Sequence, residues 1–544
     1  MTTLTGSEIL ARALVAQGAD TLFFLMGGPM LETESALIRL GVRAIDTHHE
    51  QAASYMAHAW GRLKQRPGVC MGCSGPGATN LVTGVANAWA DAAPLVAIGG
   101  SSPNINQDMD AFQEIDQVGV FRPITKWAQR ILDARRIPEL VATAFRQATT
   151  GKPGPVYLDL PGDVLGQPVE ESRLTWPARN KPAPRSLGDP GAVKEAIALL
   201  ARSSRPLIIG GSGVWWSDAA AAFRQFVEAT GIPFYTTPIS RGTVPEDHDL
   251  AFLNARVKAF AEADVVLAIG TRFNYVIQFG REPRFAADLK VIHVDINPTE
   301  LGHNRPADVP IAGDARAVLE QLIAEARGKI DPRRYAAWTG RLRVLDAEKQ
   351  AESDKATATD QVPIHPLRLC KEVREFLRRD AILVVDGQEI LNYGRQSIPT
   401  YVPGHRLNSG PFGCMGVGLP FGIGAKVAKP DTQVVVLHGD GSYGINAMEI
   451  DTAVRHRVPV LAVISNNGGW TGDPEGNKPG RNLGHLRYDR MAEAFGAHAE
   501  YVDKPHEIRP ALERAAASGK PAVVNVITDP KARAQTVRFS AYTT

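Results

Sequence analysis

Several things are scarce in this sequence, and each scarcity excludes something. Among 544 residues there are four cysteines, Cys70, Cys73, Cys370 and Cys414, too few and too scattered for a disulfide framework. Cys70 and Cys73 make one CxxC with no second pair to complete a zinc site, so the thiols read as small packing residues of a reducing compartment. No window approaches eighteen uninterrupted apolar residues, and no membrane-spanning helix is expected. An excess of one charge is also missing: 60 Lys and Arg stand against 58 Asp and Glu, a net +2. Without a basic block or interleaved basic and aromatic residues, nucleic acid is not an expected partner. The first residues lack the basic start and apolar middle of a secretion signal. The last four, Ala541-Tyr542-Thr543-Thr544, are not a peroxisomal address, so a cytoplasmic location is expected.

The length exceeds what one hydrophobic core organises, at roughly 150 residues per domain. Short apolar, β-branched runs alternate with helical patterns, as in parallel sheets covered by helices. The first block has such runs at Thr21–Met26, Gly68–Gly72, Leu95–Gly99 and Val156–Leu160. The middle block has Pro206–Gly210, Val265–Gly270 and Val291–Asp295, and the third Ala381–Val385, Thr432–His438, Val458–Ser465 and Ala522–Thr528. Two polar stretches, Trp176–Pro190 and Lys349–Pro363, read as linkers. The fold class is therefore α/β, with three doubly wound parallel-sheet domains over 1–175, 188–345 and 362–530 and a tail over 531–544.

In such sheets ligands bind at the carboxyl ends of strands, where glycine lets backbone approach a phosphate. The strongest signal of this kind is in the third block. Val434–Leu437 runs into Gly439-Asp440-Gly441, and one β-α-β unit later Val460–Ser465 ends in Asn466-Asn467-Gly468-Gly469. That pairing sets oxygen donors on neighbouring strand ends: the Asp440 carboxylate, the Asn467 amide oxygen and the Gly469 carbonyl, a set suited to Mg²⁺. The helix opening near Ser442 offers free N–H groups to a diphosphate at the same place. Gly387 and Gln388, just past the strand Ala381–Val385, are cofactor-binding candidates with them.

GDG followed by NN resembles the binding motif of thiamine-diphosphate (ThDP) enzymes, and the resemblance extends over almost the whole chain in the order pyrimidine-binding, middle and diphosphate-binding domain. It implies ThDP and Mg²⁺ as cofactors. Thr47-His48-His49-Glu50-Gln51-Ala52-Ala53 is similar to the segment with the family's activating glutamate, so Glu50 is expected to hydrogen-bond the aminopyrimidine ring. Cys73-Ser74-Gly75-Pro76-Gly77-Ala78-Thr79-Asn80 resembles the turn closing over that ring, with Gly75 and Asn80 as contacts. In Ser409-Gly410-Pro411-Phe412-Gly413-Cys414-Met415-Gly416, Met415 resembles the apolar wedge between the two rings, and the Gly413 carbonyl the acceptor for the 4′-amino group. Because the family binds ThDP between two subunits, at least a homodimer is implied, with a homotetramer expected.

Several segments resemble the branch holding oxalyl-CoA decarboxylase and 2-hydroxyacyl-CoA lyase: Arg406-Leu407-Asn408-Ser409-Gly410, Gly270-Thr271-Arg272-Phe273-Asn274-Tyr275 and Val294-Asp295-Ile296-Asn297-Pro298-Thr299-Glu300. Within it, Ala111-Phe112-Gln113-Glu114 matches the lyases, whereas the decarboxylases tend to carry Tyr-Glu where Phe112-Gln113 stand. The tail, with Ala532-Arg533-Ala534-Gln535 and Phe539, resembles the lyase tail that folds over the site. The resemblance thus implies reversible cleavage of a 2-hydroxyacyl-CoA to formyl-CoA and a ketone or aldehyde. Gln113 would hold a substrate oxygen, and Glu493 is a weaker catalytic candidate than its reading as a helix-surface carboxylate. Gly28 stands where relatives place a branched aliphatic residue, which suggests room for a branched acyl group such as 2-hydroxyisobutyryl-CoA. Phe112, Arg395, Arg406 and Arg272 are candidates for the acyl-CoA, the arginines for its phosphates. In the middle block Gly211, Ser212, Asp295 and Ile296 suggest a nucleotide site, for ADP by the same resemblance. FAD is not expected there, since Asn274-Tyr275 follow Arg272-Phe273 in place of paired aspartates. Oxalyl-CoA decarboxylase, acetolactate synthase and a non-catalytic homologue are the alternatives.

Overall fold

The computed structural model describes residues 2–181, 184–470 and 477–534. It contains three wholly parallel sheets, of six, five and six strands, and a short antiparallel pair, Thr3–Thr5 with Pro168–Glu170. Numbered in chain order within each sheet, the strands of the first and third lie in the same order, 2-1-3-4-6-5, and those of the middle sheet in the order 2-1-3-4-5. The three doubly wound α/β sheets expected from the sequence are present.

All eleven expected strands form, Gly68–Gly72 and Pro206–Gly210 with the expected ends and the rest with ends shifted by one to three residues. Six more strands were not legible: Arg43–Asp46, Trp127–Arg130, Phe234–Thr236, Val309–Ala312, Arg406–Leu407 and His498–Val502. They are the six edges of the three sheets. An edge strand is covered incompletely and needs no continuous apolar run, so the hydrophobic signal that marks interior parallel strands is absent there. The expected linker Lys349–Pro363 also differs. Residues through Thr357 continue a helix, Ala336–Thr357, because alanine, glutamate and lysine favour helix even where the pattern is polar.

The period of two along each interior strand sorts side chains between cores. In the first sheet Leu22, Phe24, Val69, Met71, Val96 and Ile98 join an outer core under helices Gly6–Ala16 and Ile137–Thr149. Their alternates Phe23, Cys70, Leu95, Ala97 and Tyr157 join a core shared with the third sheet, which contributes Ile382, Val384, Val434, Val436, Ala462 and Ile464. The middle sheet has a core of its own.

At the centre of the shared core helix Glu50–Lys64 lies against helix Gly418–Ala428. The approach is close enough that a Cβ on Gly424 would stand 2.3 Å from the Met56 carbonyl oxygen. Gly424→Ala is therefore expected to destabilise the protein by about 1–3 kcal/mol through overpacking, read as a lower midpoint of thermal unfolding.

Candidate active site

Three neighbouring strands of the third sheet end together: Ile382–Asp386, Val434–Gly439 and Leu461–Asn466. The strand order reverses between the first two, so the loops that follow diverge and leave a crevice. Gly387 has φ +117°, and a Cβ there would stand 3.1 Å from the Gly439 nitrogen and 3.4 Å from Ser442 Oγ. Glycine is what lets these backbones meet. Gln388 follows as the cap of helix Glu389–Ser397, and Ser442 Oγ donates to the Gly439 carbonyl at 3.0 Å.

Asp440 is buried, and its Oδ2 has no partner among the described residues. Burial pushes its carboxyl up to about 6, against backbone N–H groups of Gly441, Gly469 and Gly468 that favour the anion. The inner end of the Asn467 amide lies 3.2 Å from Asp440 Oδ1 and 2.9 Å from the Gly469 carbonyl oxygen. With nitrogen inward the amide donates to both. With oxygen inward, the Asn467 oxygen stands at 3.2 and 2.9 Å from the other two, near the roughly 2.9 Å separation of adjacent ligands in a Mg²⁺ octahedron with bonds near 2.0–2.1 Å. A lone carboxylate with amide and carbonyl oxygens is a donor set that fits this ion. Among the described residues there is no group of three His, Cys, Asp or Glu that would hold a metal instead.

The second part of the site belongs to the first sheet. Glu50 opens helix Glu50–Lys64, is 4% exposed, and accepts from Asn80 Nδ2 at 2.9 Å. Beside it a Cβ on Gly77 would meet Glu50 Oε1 at 3.1 Å and Cys73 Sγ at 2.6 Å. Gly75 has φ +56°, and a Cβ there would meet the Gln113 carbonyl oxygen at 2.6 Å. Its N–H donates to the buried Gln117 at 2.6 Å. Ser74 then links three segments: its N–H donates to the Gly28 carbonyl at 3.4 Å, and its Oγ lies within donating distance of that carbonyl, at 3.3 Å, and of Gln113 Oε1, at 2.8 Å. A cavity of about 300 Å³ opens over Gly75, Pro76, Thr79, Ala111 and Gln113. Phe112 stands at its rim, 87% exposed, and nothing lies within 4 Å of a Cβ added to Gly28.

The segment carrying Gly413 and Met415 is held between these parts. Asn446 Nδ2 donates to the Gly416 carbonyl at 2.8 Å and to Gln51 Oε1 at 3.1 Å. Arg62, buried, donates to the carbonyls of Asn408 and Arg406 and pairs with Asp91 at 3.2 Å. Burial works against the Asp91 anion, but Arg62 and His58 outweigh it and hold its carboxyl below the usual range. Met415 remains 39% exposed, and Gly413 takes the left-handed conformation.

The remaining sequence candidates are dispersed. Arg272 lines a small cavity of about 40 Å³ with Asp91, Ser212, Gly410 and Pro411, and donates to the Ala90 carbonyl at 2.6 Å. Arg395 is exposed on its helix. Arg406 is 2% exposed and donates to the Gly394 and Ile398 carbonyls. It is a structural tie, and its expected role on CoA phosphate is withdrawn. Glu493 lies exposed and pairs with Arg490 at 2.7 Å. Gly211 and Asp295 stand at strand ends of the middle sheet beside Ser212 and Ile296. Burial raises Asp295 to about 6, and it accepts from the Asn297 N–H. In the tail, Gln535 and Phe539 lie outside the described residues.

Sequence reasoning missed Ser74 and Gln117 as ties of the cleft and Asn446 as a bridge. It also missed Glu34, which is 5% exposed in helix Leu31–Arg39 behind the Gly27-Gly28 loop. Nothing in a single sequence marks a polar side chain as buried when its partners come from distant segments.

Two like-ordered sheets sharing one core, with a GDG/NN crevice on one and a buried glutamate on the other, define a cofactor-dependent α/β enzyme class. The chain matches "Thiamine pyrophosphate enzyme, N-terminal TPP binding domain" over residues 4–120, the central domain over 193–322 and the C-terminal TPP binding domain over 391–526. It belongs to the thiamine pyrophosphate enzymes. It is 37% identical over 541 residues to a Mycobacterium tuberculosis protein named acetolactate synthase large subunit IlvG, covering 97% of this chain and 96% of the other. It is 34% identical over 562 residues to the 2-hydroxyacyl-CoA lyase of Arabidopsis thaliana (98% and 97%) and 35% identical over 540 residues to the oxalyl-CoA decarboxylase of Escherichia coli (97% and 95%). No helix among the described residues is long and apolar enough to cross a membrane.

Burial raises the Glu34 carboxyl from 4.5 to about 7, outweighing the Gly27 N–H that favours its anion. The fold therefore holds a proton that the unfolded chain gives up near 4.5. The stability it confers is full below that pH and is lost as pH rises through about 7. Glu34→Gln should raise the unfolding midpoint relative to the parent more at about pH 8 than at about pH 5, and a difference that does not change with pH would refute this.

Proposed function

We propose that this chain reversibly cleaves the C1–C2 bond of a 2-hydroxyacyl-CoA, giving formyl-CoA and a ketone or aldehyde, with 2-hydroxyisobutyryl-CoA, which yields acetone, as a substrate. The observation that carries the reading is the group Gly28, Ser74, Phe112 and Gln113. A neutral amide, not a carboxylate, is anchored at the cavity wall, beside a position where a missing side chain leaves open space. The similarity to the Arabidopsis lyase over nearly both full chains supports it.

ThDP, when bound, supplies a carbon nucleophile and a sink for the electrons of the breaking bond. Asp440, Asn467 and Gly469 would hold its diphosphate through Mg²⁺, while Gly387, Gln388, Gly439, Gly441 and Ser442 cradle it. Glu50, Gly75 and Asn80 would contact the aminopyrimidine ring, Glu50 holding a proton at its nitrogen. The Gly413 carbonyl would accept from the amino group, and Met415 would keep the rings bent. Gln113 would hold a substrate oxygen, and Arg272 and Arg395 would meet the CoA phosphates. ADP in the middle domain, near Gly211, Ser212, Asp295 and Ile296, belongs to the same reading.

Glu50 and Asp440 would act in one site across two copies of the chain, in a homodimer or a pair of dimers. The exposed Phe112, Met109 and Ile105 beside the first-sheet cleft support a covering partner. Glu50→Ala is expected to lower turnover by at least about 10²-fold with ThDP still bound. Asp440→Ala should abolish the Mg²⁺ dependence of ThDP binding. Co-expression of the two variants should restore part of the activity, and hybrids as inactive as their parents would rule out a shared site.

Acetolactate synthase is the second reading, favoured by the 37% identity to the Mycobacterium protein. Incubation with ThDP, Mg²⁺, formyl-CoA and acetone or a panel of aldehydes should give 2-hydroxyacyl-CoA products by chromatography. No such product, with acetolactate formed from pyruvate or carbon dioxide released from oxalyl-CoA, would overturn the lyase reading.

A further inference from the structure

Two parts of the third domain must keep a fixed spacing if one cofactor is to reach both. One is the crevice at Asp440, and the other is the turn that carries Gly413 and Met415. Asp440 opens the short helix Asp440–Ile445, and Asn446 closes it, its N–H reaching the Tyr443 carbonyl at 3.2 Å. Tyr275 Oη donates to the Pro411 carbonyl at 2.7 Å before the turn, and the Gly418 N–H donates to Asp386 at 2.8 Å after it. Between these ties Phe412 and Met415 are 50% and 39% exposed, so packing alone leaves them partly free.

We propose that Asn446 is the positioning residue that registers the Gly413–Met415 turn on the helix of Asp440. Asn446 is 6% exposed, and its Nδ2 lies 2.8 Å from the Gly416 carbonyl oxygen. A main-chain carbonyl can only accept, so the amide nitrogen is the end that must face it. The second Nδ2 proton goes to Gln51 Oε1 at 3.1 Å, on the helix that begins with Glu50. The contact closes tightly around Gly416, whose φ is +85°. A Cβ there would stand 2.6 Å from Ile445 Cγ2 and 3.0 Å from Asn446 Nδ2. Glycine is what lets the chain after Met415 lie against the end of this helix. One short helix therefore carries the Asp440 carboxylate at its first residue and, through Asn446 at its end, the carbonyl that follows Met415. The anchor for a diphosphate and the wedge between two rings are held to one element, which preorganises the site for a bent cofactor. This rests on the proposed reading for the roles of Asp440, Gly413 and Met415 toward ThDP.

The test is ThDP binding to the full-length protein with Mg²⁺, measured by calorimetry at about pH 8. Asn446→Ala should weaken binding about tenfold, the worth of one buried hydrogen bond. Its binding should stay Mg²⁺-dependent, its unfolding midpoint without ThDP should stay within a few degrees, and kcat should fall while KM holds within twofold. Asn446→Asp keeps the size but, once ionised, turns only acceptors toward the carbonyl, so it should bind at least as weakly as Asn446→Ala. A role in filling space would leave it near the parent. In a double-mutant cycle, adding Asn446→Ala to Met415→Ala should cost less than threefold. Undiminished binding by Asn446→Ala, near-parent binding by Asn446→Asp, or losses that multiply in the double variant would overturn the proposal. Should Asn446→Ala not fold, Asn446→Asp decides alone. Failure of the cofactor reading shows separately, as a parent that binds no ThDP or an Asp440→Ala variant that binds it undiminished.

Discussion

The packing of helix Glu50–Lys64 on helix Gly418–Ala428 sets the geometry from which the rest of the site follows. Gly424 admits the approach, since an added Cβ would meet the Met56 carbonyl oxygen at 2.3 Å, while Gly418 and Gly422 seat the second helix on its own sheet, where added Cβ atoms would meet His438 and Val436 at 2.2 and 2.4 Å. Once the helices are in contact, successive turns of the first reach the loops of the third sheet. The His48 N–H donates to Glu449, Gln51 meets Asn446, and Arg62 holds the carbonyls before the Gly413–Met415 segment. Glu50 is thus oriented by a helix whose other face is committed to the shared core.

Five buried carboxylates divide according to what accompanies them, although Asp159 stays raised by burial even beside Arg130. Asp91 has Arg62 and His58 and ionises readily in spite of burial. Asp386, Asp440, Glu449 and Glu34 have N–H or hydroxyl donors only, or His48 at a distance, and burial raises all four. Buried anions without a cation are costly. At Asp440 the unpaired Oδ2 and the converging Asn467 and Gly469 groups mark the place where an ion from outside would do what Arg62 does for Asp91.

On the first sheet the site is built from loops that are fixed from behind. Gln117 reaches the Gly75 N–H, the Gly100 carbonyl and Tyr157, and Ser74 spans Gly28 and Gln113. These ties hold the Gly27-Gly28, Cys73–Gly77 and Ala111–Gln113 segments at one wall of the cavity. Substrate discrimination by such a wall depends on a few placed polar ends and on the room left at Gly28.

What the sequence determined by itself was the interior. Strands buried on both faces must be apolar along their length, and the glycine and oxygen-bearing turns that follow them are local in the chain, so the sheets, the GDG/NN crevice and Glu50 were all legible. The six edge strands were not, because an edge strand has no such compositional demand. Arg406 shows the opposite limit: its sequence suggested a phosphate contact, but the structure buries it among main-chain carbonyls of Gly394 and Ile398. Only the tertiary structure decided that, as it decided the partners of Ser74, Gln117, Asn446 and Glu34. A polar side chain takes its role from groups brought to it by distant segments, and their distance along the chain leaves no pattern to read.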